Sequence, residues 1–229
     1  MIGTALATCH RALSDRVRFD DTQARAPFPA RIPQMLQIDR LDVFAASGQS
    51  DGQALLLLAA QGNETLTRGI ARLRDAWQVN SLVHGDMKWH NCVASGEGLF
   101  LVDWESADLG DAAWDVAGIL QSYLAQWIWV AGAGPELSSD AAAVLDALHD
   151  SVALFWSAYV SSLPLPLPAR PAFLERAVAL AAARLLQTAY EALRDAKAMT
   201  PLTVRLLQAA INVLDDTAAA GRELFGLDA

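Results

Sequence analysis

Apolar residues recur at helical spacing through most of this chain, and one short region breaks the pattern with two runs of strand length. Cys92-Val93-Ala94 and Leu99-Phe100-Leu101-Val102 flank a Ser95-Gly96-Glu97-Gly98 turn, the arrangement of a β-hairpin. Upstream, Ile2 to Val17 places Leu6, Cys9, His10 and Leu13 on one helical face, and from an N-cap at Asn63 the segment NETLTRGIARLRDAWQ repeats Leu66, Ile70, Leu73 and Trp77 as a stripe. Between them FDDTQARAPFPARIP reads as a loop, Gln34 to Phe44 as a short helix and SGQSDGQ as a polar interruption. Downstream of Gly110 the spacing predicts helices over roughly 111–130, 139–161, 171–197 and 201–225, with Pro171 and Pro201 in first turns that accept proline. The Leu-Pro run from Leu163 to Pro168 is an extended connector. One hairpin among this many helices predicts an α+β, mainly α-helical fold, with 1–229 as one unit and the hairpin at its working end.

The 229 residues, 53% of them hydrophobic, suffice for a substantial core without covalent staples. Cys9 and Cys92 are too few and too far apart for a disulfide framework, and the first residues lack the basic-then-apolar order of an export signal, so a reducing, cytoplasmic setting is expected. Acidic residues number 26 against 17 basic, a formal net charge of −9, and only Lys88 and Lys197 are lysines. That balance argues against a nucleic-acid partner, whose phosphates need a basic face, and would welcome a cationic small molecule. Val116 to Ala133 approaches the length of a membrane span. Its Gln121, Ser122 and Gln126, and the lack of a flanking basic cluster, make it a buried core helix instead, and no membrane partner is expected.

The densest polar chemistry lies just before the hairpin, where SLVHGDMKWHNCV, Ser81 to Val93, carries His84, Asp86, Lys88, His90 and Asn91. Centring the hairpin on Glu97 brings Asn91 opposite Asp103, with side chains about 5 Å apart. An amide oxygen and a carboxylate there make half of a magnesium site, whose other positions go to water and substrate phosphate, and Asp86 can return to the same mouth. A competing reading takes His84, Asp86, His90 and Asp103 as a divalent-metal hydrolase site, because imidazole with carboxylate suits zinc or manganese. That reading leaves Asn91 unused.

The stretch His84-Gly85-Asp86-Met87-Lys88-Trp89-His90-Asn91 is followed after eleven residues by Asp103-Trp104-Glu105 and then by Gly110-Asp111-Ala112-Ala113-Trp114-Asp115-Val116-Ala117. These three pieces resemble the H-G-D-x-x-x-x-N, D-x-E and G-D-x-x-W-D-x-A motifs of the aminoglycoside phosphotransferase and choline kinase family, which has a protein-kinase-like fold. The resemblance is tight from His84 to Ala117 and loose over the helical remainder. It implies a kinase-like C-terminal lobe, with the catalytic loop and metal segment over 82–117 and a helical substrate-side subdomain over 118–229. It implies further that Asp86 orients an acceptor hydroxyl and takes its proton, and that Lys88 helps beside the transferred phosphate. Asn91 and Asp103 would hold the magnesium ions that bridge the phosphates of ATP, or of GTP in its place. His84, Glu105 and Asp115 would support the loop. Such roles suit phosphoryl transfer, which asks a protein for positioning and charge neutralisation more than for covalent chemistry.

In that family a strand-rich N-terminal lobe with a phosphate-reaching lysine precedes these motifs. Here no lysine precedes Lys88, and Ile2 to Arg18 resembles the helix just after the hinge between lobes. The expectation is an ATP- and magnesium-dependent phosphotransferase for a hydroxyl of a small molecule, cationic ones included, of which this chain is the C-terminal lobe, the N-terminal lobe belonging to a longer form of the same protein or to a separate chain. The alternative is a kinase-derived binding module without catalysis. Candidates for amine recognition are Asp108, Asp111, Glu136 and Asp140, and for stacking on a substrate Trp127 and Trp129; each also has an ordinary reading as surface charge or core aromatic.

Overall fold

The computed structural model describes residues 1–14, 28–43, 48–132, 140–163 and 166–228. In chain order they form α1 (Ile2–Ser14), a 3₁₀ helix (Gln34–Arg40), α2 (Asp51–Gln61), α3 (Glu64–Asp75), β1 (Ser81–Val83), β2 (Cys92–Ser95), β3 (Gly98–Leu101), β4 (Asp108–Gly110), α4 (Ala112–Ala131), α5 (Asp140–Ser162), α6 (Arg170–Ala192), α7 (Pro201–Asp215) and α8 (Thr217–Phe225). The fold is mainly helical with small antiparallel pairings, compatible with a kinase-like lobe.

Short polar side chains that compete for backbone N–H groups set most helix starts. Asn63 Oδ1 accepts from Leu66 N at 2.9 Å and opens α3, and Asp111 Oδ1 accepts from Ala113 N at 3.0 Å and opens α4. The same chemistry corrects two expectations. The polar run SGQSDGQ contains a capping box: Ser50 Oγ accepts from Gln53 N and Gln53 Oε1 accepts from Ser50 N, each at 3.1 Å, so α2 starts there. The single helix expected over 201–225 is two, because Asp216 leaves helical geometry at φ −140°, ψ 89° and its carboxylate takes Ala219 N at 2.8 Å. The helix expected from 171 to 197 ends at Ala192.

Strands β2 and β3 pair Cys92 with Leu101 and Ser95 with Gly98. The turn therefore has two residues, Gly96 and Glu97, and its centre lies between them, not on Glu97. This shifts the expected register by one: Val102 N donates to Asn91 O at 3.0 Å, so Asn91 faces Val102 and not Asp103. Asp103 leaves the strand in the left-handed region, φ 68° and ψ 57°. A second pairing, β1 with β4, joins Val83 to Asp108 and ties the entry of the polar loop to the entry of α4.

The core is built around α4 and α6, which pack against each other, while α6 also packs on α7, α1 on α5, and α3 on the 3₁₀ helix. Alanine-rich faces permit this close approach. From Ala177 to Leu186 every residue of α6 is buried, the pattern of a helix surrounded on all sides. Helix α4, which contains most of the apolar Val116–Ala133 stretch, is buried along most of its length, and among the described residues no helix is long and apolar enough to cross a membrane.

Candidate functional site

The loop after β1 is built on a buried carboxylate. Asp115, fully buried on the first turn of α4, accepts from His84 N at 2.7 Å and from Gly85 N at 3.0 Å. His10 of α1 reaches the same carboxylate through Nε2 at 3.0 Å and the Tyr159 hydroxyl of α5 through Nδ1 at 2.9 Å. Burial, with Asp115 and Asp111 adding to it, pushes the Tyr159 phenol far up, so it remains a hydrogen-bonding hydroxyl. Two glycines let the backbone come close. Gly85 sits at φ +81°, and a β-carbon there would overlap the Ser106 carbonyl. A β-carbon at Gly118 of α4 would overlap the Met87 carbonyl.

His84 is spent on the loop itself. Its Nε2–H donates to Val102 O at 2.8 Å, its Nδ1 accepts from Asp86 N at 3.4 Å, and its ring lies 4.7 Å from that of Trp104. With both nitrogens engaged by backbone it is not available as a metal ligand, which removes the first member of the hydrolase reading. No group of three His, Cys, Asp or Glu side chains suited to a metal occurs among the described residues.

Asp86 stands at the centre. Lys88 Nζ lies 2.6 Å from Oδ2, and Nη2 of Arg184, from the middle of α6, lies 3.1 Å from Oδ1. Burial alone would raise this carboxyl; the Lys88 hydrogen bond and the charges of Arg184 and Lys88 outweigh it and hold Asp86 below the usual carboxylate range. Asn91, buried, donates Nδ2 to Asp86 O at 2.8 Å. The amide thus turns its donor inward, and the group left to meet a cation is its oxygen. Asp103 is exposed just beyond the hairpin. These two oxygen donors fit magnesium, which takes few protein ligands and keeps water and phosphate in its other positions.

Beside the loop opens a groove of about 780 Å³, large enough for a drug-sized molecule. Its aromatic walls are Trp77, Trp114 and Tyr190, not Trp127 or Trp129, and Glu105, Glu191 and Arg31 bring charge to it. Trp114 anchors one wall by donating Nε1 to Gly85 O at 2.8 Å. Glu105 is exposed and lines this groove instead of joining the buried brace under the loop.

The candidates for amine recognition separate. Asp108 lines the groove, yet its carboxylate accepts from Ala30 N at 2.8 Å and Arg31 N at 2.9 Å, so it clasps the segment that forms the opposite wall. Asp111 is fully buried and paired with Arg176 Nε at 2.8 Å, a structural tie between α4 and α6. Glu136 and the side chain of Asp140 lie outside the described residues. Sequence reasoning missed Arg184, although one signal pointed to it: a lone cation inside the apolar run AVALAAARLLQTA.

The model of the phosphotransferase enzyme family, APH, matches residues 2–155, the region that contains α1, the polar loop, the hairpin and α4. A search of curated proteins finds no match.

Proposed function

The chain belongs to the phosphotransferase enzyme family, and from that premise we propose that it transfers the γ-phosphoryl group of ATP, with magnesium, to a hydroxyl of a small molecule held in the groove. The observation that carries this reading is the state of Asp86: an ionised carboxylate at the loop centre, flanked by Lys88 and Arg184 and tied through its carbonyl to Asn91.

In this reading the acceptor hydroxyl oxygen attacks the γ-phosphorus. A new O–P bond forms, the bond from phosphorus to the bridging oxygen breaks, and its electron pair leaves on the β-phosphate of ADP. The hydroxyl proton passes to Asp86 Oδ2 once Lys88, whose side chain is 31% exposed, turns from that oxygen toward the phosphoryl oxygens. Magnesium, held by the Asn91 oxygen and Asp103, would neutralise phosphate charge. Val93, Phe100 and Val102 are exposed and, by strand alternation, share the face of the hairpin that carries Asn91, which supports a nucleotide base lying there. The carboxylates of Glu105 and Glu191 beside three aromatic walls favour an acceptor with an amine, an association that salt would weaken.

Thermal unfolding with Mg-ATP, compared with an Asp103→Ala variant, tests the nucleotide half. A midpoint rise that needs magnesium and vanishes in the variant is expected; no rise at millimolar Mg-ATP would count against it. The catalytic half predicts that Asp86→Asn abolishes phosphotransfer while the fold persists, and unchanged turnover would remove Asp86 from the role of base. Turnover by the 229-residue chain alone separates a self-sufficient enzyme from one completed by a second chain over the apolar hairpin face.

A further inference from the structure

Helix α6 lies beyond the residues that match the family model, yet it sends its one buried arginine into the heart of the polar loop. The Arg184 side chain is 3% exposed. Nη1 lies 3.4 Å from Gly85 O and donates to Gln187 Oε1 at 2.7 Å, while Nη2 donates to Met87 O at 2.9 Å and to Asp86 Oδ1 at 3.1 Å. The guanidinium carbon lies 5.0 Å from the Trp114 ring, and Gly118 gives the group room: a β-carbon there would come within 3.3 Å of Nε. One cation therefore holds three consecutive residues of the loop, 85, 86 and 87, against α4 and α6.

Stability alone does not account for a charge in this position. A buried charge is costly to desolvate, replacing a whole buried ion pair by apolar residues of similar volume is often neutral or stabilising, and Nε has no hydrogen-bond partner among the described residues. What the guanidinium does, and an apolar residue could not, is set the orientation of the Asp86 carboxylate. Lys88, the partially exposed partner, can leave Oδ2; Arg184, enclosed, stays on Oδ1.

We propose that Arg184 is a positioning residue for phosphoryl transfer, fixing Asp86 through Oδ1 and the two neighbouring carbonyls so that Oδ2 is the oxygen offered to the acceptor. The inference rests on Asp86 being the base, so its test needs a readout independent of turnover. Amide hydrogen exchange over residues 84–91 would be measured in the full chain for wild type, Arg184→Met and Arg184→Lys, together with thermal midpoints and Mg-ATP hydrolysis, with water as the acceptor. The lysine variant keeps the charge beside Asp86 and serves as the second variant should the methionine variant fail to fold. Expected are at least tenfold faster exchange in that segment alone, and a kcat about a hundredfold lower with KM for Mg-ATP within twofold, the cost of a misplaced reacting group. Exchange unchanged in a folded variant would overturn the proposal whatever the turnover, as would faster exchange with unchanged kcat. Faster exchange in a protein whose wild type hydrolyses no Mg-ATP would uphold the clamp and sink the catalytic reading instead.

Discussion

Replacing Asp115 with asparagine changes one atom in the buried brace, and its cost can be worked from the hydrogen bonds. The native carboxylate takes three donors: His84 N and His10 Nε2 on Oδ2, and Gly85 N on Oδ1. The amide keeps one acceptor oxygen. If it keeps the Oδ2 role, its NH2 faces Gly85 N–H, leaving a donor opposite a donor at a fully buried side chain, at about 1–3 kcal/mol. The two remaining bonds fall from charge-assisted to neutral, a loss of about 1 kcal/mol each. The total, about 3–5 kcal/mol, is a large share of the ~5–15 kcal/mol that holds a domain folded. Urea unfolding followed by circular dichroism would read it: with a slope of ~2–3 kcal/mol/M the midpoint should drop by about 1–2.5 M. A double-mutant cycle with His10→Ala should show coupling, because both changes act on the same carboxylate. A midpoint within about 0.3 M of wild type, at unchanged slope, would mean that the loop is held by packing and the three bonds are incidental.

Thiol chemistry gives a second expectation. Burial pushes Cys92 up to about 11 and raises Cys9 as well, so at pH 8 about one thiol in a thousand at Cys92 is ionised, against about a quarter for an ordinary thiol. Alkylation by iodoacetamide, followed by mass spectrometry, should be at least a hundredfold slower at Cys92 in native protein than in urea; equal rates would refute the burial argument. Acid stability gives a third. Asp86 is held below its ordinary value, so the stability its ionised form contributes is present above about pH 4 and is lost as pH falls through the lower folded-state value. The stability difference between wild type and Asp86→Asn should therefore shrink below about pH 4; a difference that stays constant from pH 7 to pH 3 would show that the pairing with Lys88 and Arg184 carries no net preference for the charged form.

Much of the fold is legible because its determinants are local. Asn63 and Asp111 cap helices by bonding amides two or three residues ahead, and the stripe of Leu66, Ile70 and Leu73 repeats within one element. The hairpin was readable for the same reason, but its register was not. A four-residue turn signal admits centres half a residue apart, and only the paired backbone, with Gly98 at φ +139°, chose the two-residue turn. Helix α2 was hidden because its first turn, Ser50 to Gln53, is as polar as a loop, and the break at Asp216 because aspartate is also a tolerated helix residue.

By itself the sequence determined the family, the order of the motif residues and the crowding of polar side chains into one loop, because eight consecutive residues bring their own spacing with them. Only the tertiary structure decided what surrounds Asp86. Arg184 is 98 positions away along the chain, and Asp111 meets Arg176 across 65. Periodicity says which face of a helix is buried, but not which neighbour that face meets. The partner of a buried charge is chosen by packing, since only the folded core makes an unpaired cation expensive and a carbonyl or carboxylate within reach decisive.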